Sequence, residues 1–137
     1  MPALRNMNRS LCRVEVSAGC GVGRFLQTAR FSPERGREGD CQNTVGRAIA
    51  GMTTSGLLCS AHLLVADRDR STVSTSETAL RGGKDEVADW VLLVEGFSKD
   101  VVAEDRSALL RQAGAEVSMT FNLYALDHLV TGVGSCR

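Results

Sequence analysis

The sequence predicts an α+β domain built around an antiparallel sheet. Four segments of strand length are strongly apolar or alternate between apolar and polar residues, and two stretches of helical periodicity lie between them. With 137 residues the chain is long enough for one domain with its own core. The predicted order is strand, helix, strand, strand, helix, strand, which is typical of a split βαβ sheet with both helices on one face.

The segment Leu57–Ala66 is the most apolar of these and the centre of the prediction. Its ten residues are too few to span a membrane, and the polar residues 67–71 close it abruptly, as expected at the end of a buried strand. In a strand, alternate side chains share a face. One face would carry Leu57, Cys59, Ala61, Leu63 and Val65, and the other would carry Leu58, Ser60, His62 and Leu64. An imidazole on one face of an apolar strand marks the place to look for a site.

The other strands are predicted at 24–31, 89–96 and 116–126. The first helix is predicted to begin at Ser32-Pro33, because serine caps helix N-termini and proline suits the first helical position. The second is predicted from Ser98 to Gly114. Its inward residues would be Val101, Val102, Asp105, Ala108, Leu109 and Ala113. Residues 11–16 alternate like a short strand before a glycine-rich turn.

These elements divide the chain into an N-terminal appendage (1–23), a ferredoxin-like domain (24–130) and a C-terminal tail (131–137). Both central strands are too apolar for a sheet whose second face meets water. Since the N-terminal segment is short and rich in glycine, a second copy of the chain is the favoured cover.

Composition narrows the class of protein. The formal net charge is zero and aromatic residues make up 4%, so neither a global field nor a stacking platform favours nucleic acid or an anionic membrane. The five cysteines include no Cys-x-x-Cys pair, which argues against a metal site and favours reduced thiols. Cys20 is the candidate reactive thiol. With no signal-peptide pattern, a cytoplasmic location is expected.

Three segments together resemble the dimeric α+β barrel superfamily, which includes the EthD-like, stress-responsive A/B-barrel and muconolactone isomerase-like groups. They are Ala61-His62-Leu63-Leu64, Ser76-Glu77-x-x-Leu80-Arg81, and residues 89–96. The resemblance covers roughly residues 24–130. It implies two ferredoxin-like modules whose sheets face each other and enclose a pocket. The superfamily includes cofactor-free monooxygenases, isomerases, cyclases and haem-binding enzymes.

His62 is the leading catalytic candidate, as a general acid/base or a haem ligand, with a core histidine bonded to Ser60 or Thr120 as the structural alternative. Tyr124 and Asn122 share the polar face of the last strand. With His62 they would form a constellation that polarises a phenol or an enolate. Packing at an interface is the alternative for Tyr124.

Substrate-binding candidates are side chains expected around the same pocket. They are Trp90, Arg30, Ser60, Thr120, Arg81 and Glu77. Trp90 can line the pocket or belong to the core, and Arg30 can hold a carboxylate or lie in water at a strand end. Glu77 and Arg81 stand four residues apart, a spacing that also suits a structural ion pair.

The expected protein is therefore a cytoplasmic homodimer that binds an aromatic or polyketide-like small molecule. Acid/base chemistry by an enzyme without a bound cofactor (isomerisation, cyclisation or cofactor-free oxidation) is the favoured function. A non-catalytic ligand-binding dimer and a haem protein using His62 are the alternatives. No metal, nucleic acid or membrane is expected as a partner.

Overall fold

The computed structural model describes residues 12–66 and 90–127, which form an antiparallel sheet with helices on one side. The strands are β1 (Cys12–Gly19), β2 (Phe25–Phe31), β3 (Leu58–Ala66), β4 (Trp90–Gly96) and β5 (Thr120–Ala125). The helices are α1 (Glu38–Thr54), α2 (Lys99–Val102) and α3 (Ser107–Ala113). The predicted α+β class is confirmed.

The five strands lie in the order β1-β3-β4-β2-β5, and every neighbouring pair is antiparallel. The four strands β3-β4-β2-β5 have the connectivity of a split βαβ unit, so the sheet is compatible with a ferredoxin-like fold. Strand β1 extends this sheet beyond β3. The strand expected near 11–16 therefore exists, but it runs on through Gly19 and belongs to the sheet.

The two faces of the sheet differ in what covers them. The helix face packs against α1, α2 and α3, and its buried strand residues include Ala29, Phe31, Ala61, Leu63, Leu92 and Val94. The opposite surface, which we call the open face, carries the alternate residues. It comprises Leu26, Thr28, Arg30, Ser60, His62, Leu64, Val91, Leu93 and Glu95 from the three inner strands, with side chains of β1 and β5 at its margins. The described helices leave this face uncovered.

Helix α1 begins at Glu38, so the predicted start at Ser32-Pro33 is wrong. The backbone around Pro33 is used in pairing instead. Pro33 bridges Ala115, and the flanking bonds run from the Glu34 N–H to the Gly114 carbonyl and from the Glu116 N–H to the Ser32 carbonyl, both 2.8 Å. The predicted apolar stripe is otherwise sound, since Cys41, Val45 and Ile49 are buried.

The predicted second helix is two helices, because the chain leaves helical geometry between Val102 and Ser107. Arg106, not Asp105, is the inward residue of this break. Arg106 is 6% exposed, and its guanidinium donates to the carbonyls of Val101 and Val102, at 3.0 and 2.7 Å. These bonds supply donors to carbonyls at the end of α2, where the Val101 carbonyl otherwise has a long 3.5 Å bond from the Glu104 N–H. The predicted stop at Gly114 is confirmed, with φ +103°.

Strand β3 contains a register shift between Leu58 and Ser60. This bulge turns Leu58 into the helix-face core, where it is 7% exposed, so its predicted place beside Ser60 and His62 is wrong. Beyond the bulge, the predicted alternation of His62 and Leu64 against Ala61 and Leu63 is confirmed. No helix in the described ranges has the length and apolar character needed to cross a membrane.

Candidate functional site

His62 lies half-buried on the open face, and the hydroxyl of Ser17 fixes its orientation. The Nδ1 atom of His62 is 2.8 Å from Oγ of Ser17, which lies directly opposite it on β1. A serine hydroxyl can either donate to this nitrogen or accept from it, so it can serve either neutral tautomer. When Ser17 donates, Nε2 carries the proton and becomes the donor available to a ligand.

A second polar pair lies beside the first. The hydroxyl of Ser60, which is 2% exposed, donates to Oε2 of Glu95 at 2.9 Å. Ser60 is two residues before His62 on β3, and Glu95 is paired with Ser60 on β4. His62 and Glu95 are thus diagonal neighbours on one face, with Cβ atoms about 7 Å apart.

The surroundings of these two pairs are largely apolar. Leu93 lies directly opposite His62, and Leu64 follows it on the same face of β3. Leu26 pairs with Glu95 across β2 and β4. An imidazole and a carboxylate therefore project beside a patch of leucine and valine side chains, and small-molecule sites use this mixture of apolar walls and few placed polar groups.

The structure does not bring Tyr124 and Asn122 to His62. All three lie on the open face, and Asn122 is even in the same cross-strand row as His62. However, β4 and β2 separate β3 from β5, so the backbones of His62 and Asn122 are about 14 Å apart at the usual strand spacing. Thr120 also lies on β5, opposite Arg30, and is farther still from the imidazole because it is two residues along the strand from Asn122.

Arg30 is at the other end of the open face from Glu95. It pairs with Val91 of β4, and Val91 pairs with Leu64 of β3. Burial raises the pKa of the Cys12 thiol, and the positive charge of Arg30 partly offsets this rise. The open face thus has a guanidinium toward one end and a carboxylate toward the other.

Trp90 lies in the helix-face core, where it is 7% exposed and its ring centroid is 6.0 Å from that of Phe31. Glu77 and Arg81 are outside the described residues. In the described part of the chain, no group of three or more His, Cys, Asp or Glu side chains is placed to hold a metal ion. Cys20 is disulfide-bonded, so the expected free thiol at this position is wrong.

Two members of the site, Ser17 and Glu95, were not among the residues expected from the sequence. Glu95 lies on the same face of β4 as Val91 and Leu93, and the rest of this strand is apolar. A carboxylate there is the same kind of signal as His62 on β3, and could have been recognised. Ser17 could not, because its pairing with His62 depends on β1 joining the sheet beside β3.

Comparisons with known proteins add no functional assignment. No family model, curated protein or solved structure matches this chain.

Proposed function

We propose that the protein is a homodimeric enzyme that performs acid/base chemistry on an aromatic or polyketide-like small molecule bound at the open face. The observation that carries the proposal is the juxtaposition of two oriented polar pairs, His62 with Ser17 and Glu95 with Ser60, beside the apolar side chains of Leu26, Leu64 and Leu93. Catalytic acids and bases need this combination of fixed orientation and partly apolar surroundings.

The dimer follows from the composition of the open face. Leu26, Leu64, Val91 and Leu93 form an apolar surface that a second sheet can cover, as in a dimeric α+β barrel. Two such faces do not close into a dry core, because the one hydroxyl bond from Ser60 does not offset the cost of burying the charged carboxylate of Glu95. The paired sheets instead leave room for a ligand between them.

The roles of the two pairs follow from their chemistry. The carboxylate of Glu95 takes a proton from a carbon next to the ligand's carbonyl group, and the C–H electron pair moves into an enolate. The Nε2–H of His62, with Nδ1 accepting from Ser17, donates a hydrogen bond to the enolate oxygen. In a β,γ-unsaturated ligand the enolate is a dienolate, and return of the proton from Glu95 to its γ-carbon, with the double bond moving into conjugation with the carbonyl group, completes an isomerisation without any oxidant or cofactor.

Proton exchange on a simple carbon acid tests this proposal without knowledge of the natural substrate. We expect the protein to accelerate exchange of the α-protons of 2-tetralone in D2O, followed by ¹H NMR. A general base contributes about 10²–10⁴-fold and a donor to the enolate oxygen about 10²–10³-fold, so Glu95→Gln and His62→Ala should each lose most of the acceleration. Gln112→Ala, an exposed change on α3, is the control.

Two results contradict the acid/base assignment. One is exchange at the rate of buffer alone, and the other is an unchanged rate in His62→Ala. Binding of 2-tetralone without exchange would instead favour the non-catalytic ligand-binding dimer.

Haem ligation by His62 is the second candidate. The observation that favours it is the 2.8 Å hydrogen bond between Nδ1 of His62 and Oγ of Ser17, since a metal-ligating histidine usually donates its other ring N–H to a partner, as Nδ1–H would donate to Ser17 when Nε2 binds iron. The test is the absorbance spectrum after haem addition. A Soret band that disappears in His62→Ala supports ligation, and a spectrum equal to that of free haem eliminates it.

A further inference from the structure

Strand β5 is an edge of the sheet formed by residues 12–66 and 90–127, and its own sequence lacks the features that usually protect an edge. Its six residues, TFNLYA, include no charged residue and no proline. The opposite edge, β1, contains a bulge near Val16 and an Arg13–Glu15 ion pair of 3.0 Å. Charges and bulges discourage pairing with another strand, so the described sheet has one guarded edge and one unguarded edge.

The direction of the free backbone groups on β5 follows from one hydrogen bond. The Leu126 N–H donates to the Arg24 carbonyl at 2.8 Å, toward β2. Since successive residues of a strand point their N–H and C=O groups to opposite sides, Asn122 and Tyr124 also bond toward β2. Phe121, Leu123 and Ala125 therefore direct their backbone groups outward, away from the sheet.

We propose that β5 pairs antiparallel with β5 of a second copy of this chain, about a two-fold axis at Leu123. A two-fold axis perpendicular to the sheet puts the helix faces of both copies on the same side. Residues paired across the axis must then point their side chains to the same face, so their two numbers are both odd or both even. Centring the axis on Leu123 pairs Leu123 with itself and Phe121 with Ala125. All three outward residues are then hydrogen-bonded, whereas centring on Asn122 uses only two of them.

The side chains fit the same register. On the helix face, Leu123 is 37% exposed. The pairing would cover it with Leu123 of the second copy, and Phe121 of each copy would lie beside this contact. On the open face, Asn122 would lie opposite Tyr124, which is 53% exposed, so that an amide meets a phenol hydroxyl across the axis.

An identical strand is the partner that these features favour. A strand without charge does not repel its own copy, whereas a charged strand would place like charges opposite each other. The pairing uses the edge of the sheet and leaves the open face accessible. It is therefore independent of the face-to-face dimer, and it gives Asn122 and Tyr124 a role that does not involve His62.

A charge at the proposed axis tests the pairing. In Leu123→Lys two ammonium groups would meet where the strands cross, so the mass measured by sedimentation velocity should fall to half or less of the wild-type value. Gln112→Lys adds the same charge on an exposed part of α3 and should leave the mass unchanged. Equal masses for wild type and Leu123→Lys would overturn the proposal.

Cross-linking gives an independent readout that does not depend on loss of assembly. Directly paired residues in hydrogen-bonded positions have Cα atoms about 5.5 Å apart, which is within the range that a disulfide spans. Mild oxidation should convert Leu123→Cys to a covalent dimer faster than Gln112→Cys. Equal rates for the two variants would contradict the register.

The face-to-face dimer has a separate test. Leu93→Glu places a charge at the centre of the open face and should lower the mass by disrupting that contact alone. If the mass falls in Leu123→Lys but not in Leu93→Glu, the edge pairing is supported and the face-to-face dimer is contradicted. If it falls in Leu93→Glu but not in Leu123→Lys, the face-to-face dimer is supported and the edge pairing is contradicted.

Discussion

At the scale of single residues, Arg106 shows how a charged side chain can be structural. Its guanidinium donates to Oε1 of Gln27 at 2.7 Å, and Nε2 of Gln27 donates to the Glu104 carbonyl at 3.0 Å. Burial lowers the pKa of Arg106, with the charge of Glu104 acting in the opposite direction. The network ties the break between α2 and α3 to β2.

Replacing Arg106 with Met should destabilise the protein strongly. The change removes the guanidinium donor of the Gln27 amide oxygen and of the Val102 carbonyl, and each buried unsatisfied group costs about 1–3 kcal/mol. We expect a loss of about 3 kcal/mol in the free energy of unfolding, measured by urea denaturation. Arg47→Met, on the exposed side of α1, should change it by less than about 0.5 kcal/mol. Similar losses in both variants would contradict this role.

Asp105 should contribute stability that depends on pH. Its carboxylate accepts the Ser107 N–H at 2.9 Å, and this backbone bond, reinforced by the Ser107 side chain, holds the pKa of Asp105 below the ordinary value of 3.8. A carboxyl whose pKa is lower in the folded state stabilises above its unfolded pKa, and this contribution is lost as the pH falls through the folded pKa.

The difference in unfolding free energy between wild type and Asp105→Ala should therefore be constant above about pH 5 and shrink below pH 4. Urea denaturation across this range measures it. A difference that stays constant down to pH 2 would show that the carboxylate bond does not contribute.

At the scale of elements, helix interiors could be predicted better than helix ends. The stripe of Cys41, Val45 and Ile49 identifies α1 because apolar spacing alone determines its buried side. Its start could not be predicted, because Pro33 bridges Ala115, a residue 82 positions away. The break before α3 also depends on a tertiary contact, since the Arg106 network reaches Gln27 of β2.

Replacing each of two helix glycines with alanine should change the free energy of unfolding in opposite directions. Gly51 is inside α1 and a Cβ there meets nothing within 4 Å, so Gly51→Ala should stabilise by about 0.5–1 kcal/mol through helix propensity. Gly114 has φ +103° and a Cβ there would lie 2.9 Å from the Arg37 guanidinium, so Gly114→Ala should destabilise. Thermal unfolding measures both, and a shared sign would contradict the assignment.

At the scale of the whole molecule, the sequence predicts the sheet well and the site only in part. Alternation and element order identify four strands, and the observed order has the expected connectivity. The position of His62 on the open face follows from that alternation. Its distance from Asn122 does not, because a shared face does not specify how many strands lie between two residues.

The place of β1 also required tertiary information. Its alternation marks a short strand, but pairing beside β3 rather than at the other edge is a choice between two edges that local pattern does not distinguish. That choice brings Ser17 to His62 and so determines the orientation of the imidazole.

The central claim is that the open face, with His62 oriented by Ser17, is the ligand-binding surface. Two-dimensional NMR of protein labelled with ¹⁵N, titrated with 2-naphthol as an aromatic probe, tests it most directly. We predict that saturation shifts the ring nitrogens of His62 and the amides of Leu93 and Glu95, while the amides of Val45 and Ile49 on α1 stay unchanged. Resonances of His62 and its open-face neighbours that do not move at any concentration of the probe would contradict the claim.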